Sequence, residues 1–143
     1  MQINKAIYEF MAARCSTCAD QELGGVLGCV KSGSIGFVEF ENPNSKALWY
    51  TRVPNTDYIN KVTEGWPSYF QFAGLFHIHR SNNNRLSVAD RTYFEKIMSF
   101  MPPEITVLHF PLYVLPEKRF YGFKAERTED GSIEITDEPI TFI

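Results

Sequence analysis

The sequence predicts an α+β domain in which helices flank one mixed β-sheet. Three observations predict it. Apolar residues recur at helical spacing in two separate places, short β-rich runs bounded by Gly, Pro and Asn fill most of the remainder, and the order reads helix, two strands, loop, strand, helix, three strands. In residues 4–18, Ile7, Phe10, Met11 and Cys15 follow a helical period, and a glycine-rich segment ends the run. Residues 24–30 carry small and β-branched side chains without charge and read as a buried strand. Lys31-Ser32-Gly33-Ser34 then turns the chain into a second strand at 35–40. Residues 42–60 hold Pro43, Asn44, Pro54 and Asn55 and read as loop, with one extended piece at Leu48-Trp49-Tyr50. Residues 69–79 are apolar and aromatic, with Gly74 in the middle, and read as a central strand that the polar cluster from Arg80 to Arg85 ends. Residues 87–100 form the second predicted helix, with Ala89, Tyr93, Phe94, Ile97 and Met98 on its apolar side. Met101-Pro102-Pro103 stops it. Three strands follow, at 105–115, 118–127 and 132–143, the last two joined by the turn Thr128-Glu129-Asp130-Gly131.

The chain of 143 residues fits one domain, expected to span 1–143. Fourteen Lys and Arg against seventeen Asp and Glu leave a net charge of −3, so no basic field draws the protein to nucleic acid or to an acidic membrane surface. The most apolar stretch, residues 105–115, contains His109 and Pro111 and is only about half the length that crossing a bilayer takes. Met1-Gln2-Ile3-Asn4-Lys5 lacks the hydrophobic core of an export signal. Three cysteines are too few, and odd in number, for a disulfide framework. The expected setting is the cytoplasm.

One constellation carries chemistry: His77-Ile78-His79, seven further residues, then Ser87-Val88-Ala89-Asp90. On a strand, residues two apart share a face, so both imidazoles project together. Asp90 falls in the first turn of the following helix. Two imidazoles and a carboxylate form a familiar ligand set for catalytic zinc, with the fourth tetrahedral position left for water, whose pKa such a site lowers to about 7. Ser87-x-x-Asp90 also has the form of a capping box. The two readings are compatible, because capping the helix would position Asp90.

The string from His77 to Asp90 resembles the His-x-His, seven residues, Ser-x-x-Asp signature of the JAMM metallopeptidases, also called the MPN-plus family. That family also carries an upstream glutamate, typically in a Glu-x-Gly-Gly-x-Leu segment after the first helix. Here Glu22-Leu23-Gly24-Gly25-Val26-Leu27 stands in that place. The resemblance implies a single MPN-like domain with one Zn2+ per chain, held by His77, His79 and Asp90. It implies Glu22 as general base acting on water at the metal and later handing the proton to the leaving amine, and Ser87 as a support for the tetrahedral intermediate. Two departures stand out. Ile78 replaces the family's usual small hydroxyl residue and should point to the opposite side of the sheet. Arg80 replaces its usual proline, which bears on substrate fit and removes no ligand.

Other patterns are weaker. Cys15-Ser16-Thr17-Cys18 has metal or redox spacing but no second pair, and a site from Cys29 and His109 has no support in the predicted fold. His109 reads as a strand histidine packed or hydrogen-bonded in the sheet. The implied reaction is metal-assisted amide hydrolysis after the C-terminal tail of ubiquitin or a ubiquitin-like protein, by deconjugation or precursor processing. E1- or E2-like enzymes are possible operon partners, as in bacterial antiviral conjugation systems. Trp49, Tyr50, Tyr58, Trp66 and Tyr69 would either wall a groove for the tail or form a second layer of core. Two alternatives stand beside this reading: a metal-free MPN-type binding scaffold, and an amidase acting on a sulfur-carrier protein conjugate.

Overall fold

Asn4 starts the first helix by accepting hydrogen bonds from the backbone N–H groups of Ala6 and Ile7 at 2.9 and 3.3 Å. The computed structural model describes residues 1–17, 24–30, 33–40 and 56–143. Over these, a two-residue strand β1 (Gln2–Ile3) leads into α1 (Lys5–Ser16), then β2 (Gly24–Cys29), β3 (Ile35–Phe40), α2 (Thr56–Glu64), β4 (Gln71–His79) and α3 (Val88–Phe100). Six short strands complete the chain: β5 (Val107–His109), β6 (Leu112–Val114), β7 (Arg119–Tyr121), β8 (Phe123–Arg127), β9 (Ile133–Asp137) and β10 (Thr141–Phe142).

The strands form one mixed sheet in the order β10-β1-β3-β2-β4-β5-β8-β9, with β6 pairing β4 and β7. β4 lies at its centre, antiparallel to β2 on one side and parallel to β5 and β6 on the other. The sheet has a core on each face. On one, Val26, Leu75, Leu108 and Leu112 pack with Phe94, Ile97 and Met98 of α3 and Ile59 of α2. On the other, Leu27, Phe76, Ile78 and Tyr113 pack with Met11 and Cys15 of α1. The architecture is the predicted α+β fold, a mixed sheet flanked by helices.

The alternation along β4 changes parity once. Phe72 packs on the α3 side and Ala73 on the α1 side; Leu75 then returns to the α3 side and Phe76 to the α1 side. The reset occurs at Gly74. There the register with β2 shifts between Leu27 and Gly28, and Gly74 takes φ +139°, a region that side chains rarely adopt. From that bulge onward, Leu75 and His77 face α3 while Phe76 and Ile78 face α1.

Several sequence expectations need correction. The predicted loop over 42–60 gives way at Thr56 to helix α2, in which Tyr58, Ile59 and Val62 lie at helical spacing against the core. Pro54 and Asn55, read as loop signals, stand just ahead of that helix, where such residues are equally at home. The extended piece at 48–50 lies outside the described residues. The three long C-terminal strands are each broken. Phe110-Pro111 separates β5 from β6, Gly122 separates β7 from β8, and residues 138–140, with Pro139, separate β9 from β10. Proline interrupts ladder hydrogen bonding. At Gly122 the backbone oxygen of Glu138 approaches so closely that a Cβ would meet it at 2.3 Å. β1 is too short to leave a periodic signal.

No helix among the described residues is long and apolar enough to cross a membrane.

A Cβ on Gly74 would sit 1.7 Å from the carbonyl oxygen of His109, whereas one on Gly36 would meet nothing closer than 3.8 Å. Gly74→Ala is therefore expected to cost about 3 kcal/mol or more of stability. Gly36→Ala is expected to change it by less than about 1 kcal/mol. Urea denaturation of both variants checks the difference.

Candidate metal centre

The bulge at Gly74 sets up the site. With parity reset, His77 and His79 project from the end of β4 toward the start of α3, while Ile78, 1% exposed, is buried on the opposite face as expected. His77 is 6% exposed, with its ring edge-on to Phe94 of α3 at 5.8 Å. The two imidazoles stand nearly perpendicular, 5.0 Å apart. His79 donates from Nδ1 to the backbone carbonyl of Asn83 at 2.9 Å, which turns its Nε2 toward Asp90 Oδ2 at 3.3 Å.

Asp90 arrives from the other direction. Ser87 caps α3: its Oγ accepts from the Asp90 N–H at 3.0 Å, and Asp90 Oδ2 accepts from the Ser87 N–H at 3.0 Å. The capping box thereby fixes the carboxylate, as the sequence allowed. Asp90 Oδ2 then lies 3.4 Å from His77 Nε2 and 3.3 Å from His79 Nε2. Burial pushes the Asp90 carboxyl up, but hydrogen bonds from His77 and His79, the charge of His77 and the Ser87 N–H outweigh it. The carboxyl is held well below the usual carboxylate range. Asp90 is an anion at neutral pH.

His77, His79 and Asp90 each offer one ligand atom, all within 4.8 Å of one another, the one such cluster among the described residues. Two ligands each ~2.0–2.1 Å from a tetrahedral zinc lie roughly 3.3–3.4 Å apart. The separations of Asp90 Oδ2 from His79 Nε2 and His77 Nε2, 3.3 and 3.4 Å, match that geometry. The donor set and these two separations suit a metal ion such as zinc. Beside it is a cleft of about 290 Å³ walled by His79, Arg80, Ser81, Asn83 and Ser87.

Of the other sequence candidates, Glu22 lies outside the described residues. The strand it precedes in sequence, β2, begins with Gly24 paired to His77. Ser87 is at the cleft and its hydroxyl oxygen serves the helix cap. His109 lies in β5 with Nδ1 2.6 Å from Glu138 Oε1, hydrogen-bonded as expected. Cys15 is buried in the core beneath α1, and Cys18 lies outside the described residues. Tyr58 and Trp66 pack partly buried against the core, which favours the core-layer reading for them. Tyr69 is 58% exposed, and Trp49 and Tyr50 lie outside the described residues. Sequence reasoning missed the Asn83 carbonyl that orients His79. A backbone acceptor leaves no residue-type signal.

No protein-family model and no curated protein matches the sequence. Solved structures do match. Protein DSY2949 from Desulfitobacterium hafniense superposes with a TM-score of 0.61 at 19% identity, covering 99% of this chain and 92% of that one. AF2198 from Archaeoglobus fulgidus, a JAB1/MPN domain protein, gives a TM-score of 0.58 at 12% identity, covering 100% of this chain and 99% of that one. The chain therefore has an MPN-like fold, and within it a His-His-Asp cluster suited to a metal ion.

Two outcomes follow for chelated protein. Ser87→Ala is expected to lose about 1 kcal/mol of stability through the cap, measured by urea denaturation. Because the folded pKa of Asp90 lies below its unfolded value of about 3.9, its contribution is present above that value and disappears as pH falls through the folded pKa. The acid limb of the stability curve is expected to be flatter in Asp90→Asn than in wild type, measured by denaturation from about pH 5 downward.

Proposed function

We propose that the protein is a zinc-dependent peptidase or isopeptidase of the JAMM type, with the whole chain as one catalytic domain acting in the cytoplasm. Its substrate would be the amide bond after the C-terminal tail of a ubiquitin-like protein, in a conjugate or a precursor. One observation carries this reading. His77 Nε2 and His79 Nε2 lie 3.4 and 3.3 Å from Asp90 Oδ2, the separations tetrahedral zinc ligands adopt. The MPN-like fold and the Glu22-Leu23-Gly24-Gly25 segment support it.

His77, His79 and Asp90 would hold the ion, which supplies Lewis acidity that polarises a carbonyl and acidifies water. The protein's own groups supply the rest. The Asn83 carbonyl fixes the tautomer of His79, and the cap on α3 fixes Asp90. Glu22 takes the proton from the attacking water and returns it to the leaving amine, as a carboxylate general base and then acid. The Ser87 oxygen accepts from the Asp90 N–H, so its own O–H is available to donate to the developing oxyanion. The flexible tail of the substrate would lie in the cleft beside His79 and Arg80. E1- or E2-like enzymes would make the conjugates that this protein takes apart.

Gently purified protein is expected to hold one zinc per chain by elemental analysis, and His77→Ala or His79→Ala to lose it. Zinc affinity is expected to fall on acidification, because protons compete with the ion for the imidazole nitrogens. On a panel of ubiquitin-like fusion substrates, Glu22→Gln is expected to keep zinc but lose on the order of a hundredfold or more in turnover. Chelator should abolish wild-type cleavage. Protein with no zinc, or full turnover by Glu22→Gln, overturns the assignment.

A further inference from the structure

A second cavity, of about 670 Å³, shares no residue with the cleft at His79. Three guanidinium-bearing side chains line it from three different elements: Arg85 from the loop between β4 and α3, Arg91 from the first turns of α3, and Arg119 from β7. No carboxylate among the described residues lies within ion-pair distance of any of them. Arg91 spends one N–H on the carbonyl of Ile135 at 3.4 Å, and Arg119 stands over the ring of Tyr121 at 4.4 Å. Each guanidinium carries five donors, so most of that capacity has no partner among the described residues.

Two carboxylates also border the cavity. Glu138 is turned to His109 at 2.6 Å with its side chain 7% exposed, which leaves Asp137 as the exposed acid. The balance of charge in the cavity is positive. Its apolar wall includes Tyr8 and Phe142, whose rings meet edge-on at 4.9 Å, with Phe142 49% exposed. Planar forks of this kind match the oxygens of phosphate, and half-exposed aromatic rings suit an organic body. The volume lies in the range of small-molecule sites. Arginines drawn from loop, helix and strand around one cavity suit a compact polyanion better than an extended acidic peptide.

We infer that this cavity is a binding site for a phosphate group, alone or as the ester of a small organic molecule. It is separate from the metal centre and does not depend on the peptidase reading. The test is isothermal titration calorimetry of the full chain with pyrophosphate and with ADP, in chelator and at low ionic strength, where charge interactions are least screened. Saturable binding is expected. Arg119→Glu and Arg85→Glu should each weaken it on the order of tenfold or more, with an unchanged melting temperature. His79→Ala should leave it unchanged. Tighter binding of ADP than of pyrophosphate identifies an ester as the ligand; equal binding identifies the phosphate group alone. The inference is overturned if neither probe binds saturably, or if both arginine variants bind as wild type does. It is equally overturned if only His79→Ala abolishes binding, or if an aspartate-rich peptide binds while neither phosphate probe does.

Discussion

Period-two alternation along β4, reset once at Gly74, is the constraint on which the rest of the site depends. A one-residue slip in a strand sends every later side chain to the other face. Without the bulge, His77 would share the α1 side with the residues that now form its core, far from the helix that carries Asp90. Gly74 can hold this conformation because it has no Cβ to meet the His109 carbonyl. The strand that carries the imidazoles has neighbours on both edges, so its position is fixed by β2, β5 and β6 together.

The second half of the arrangement is electrostatic. Asp90 is a cap and a candidate ligand through the same oxygen: Oδ2 accepts from the Ser87 N–H and faces both imidazoles. A carboxylate at a helix N-terminus is stabilised as the anion, which keeps it ready for a cation at neutral pH. His79 is oriented through a backbone carbonyl and His77 through packing on Phe94. Each donor is therefore held by something other than a metal. A site built in this way would need little further ordering to take a cation.

Much of this was legible in the sequence because strong local signals coincide. The two-residue spacing of His77 and His79 gave their common face, and Ser87-x-x-Asp90 gave both the helix start and the third donor. Helices α1 and α3 and strand β3 fall close to their predicted places, since their apolar periods are uninterrupted. Other features depend on tertiary context. The parity reset at Gly74 comes from the close approach of β5, which lies more than thirty residues later in the chain. The breaks at Pro111, Gly122 and Pro139 are marked by residue types that equally permit an unbroken edge strand. Helix α2 was hidden behind Pro54 and Asn55, whose loop-forming and helix-starting preferences coincide. The three arginines of the second cavity come from separate elements, so no local motif announces them.

X-ray absorption at the zinc edge, on protein loaded with one equivalent of zinc, tests the central claim most directly. The expected spectrum shows nitrogen and oxygen neighbours at about 2.0–2.1 Å, with the outer-shell scattering of two imidazole rings. A sulfur shell near 2.3 Å would move the ion to cysteine, and a spectrum without imidazole scattering would leave His77 and His79 without the role assigned to them.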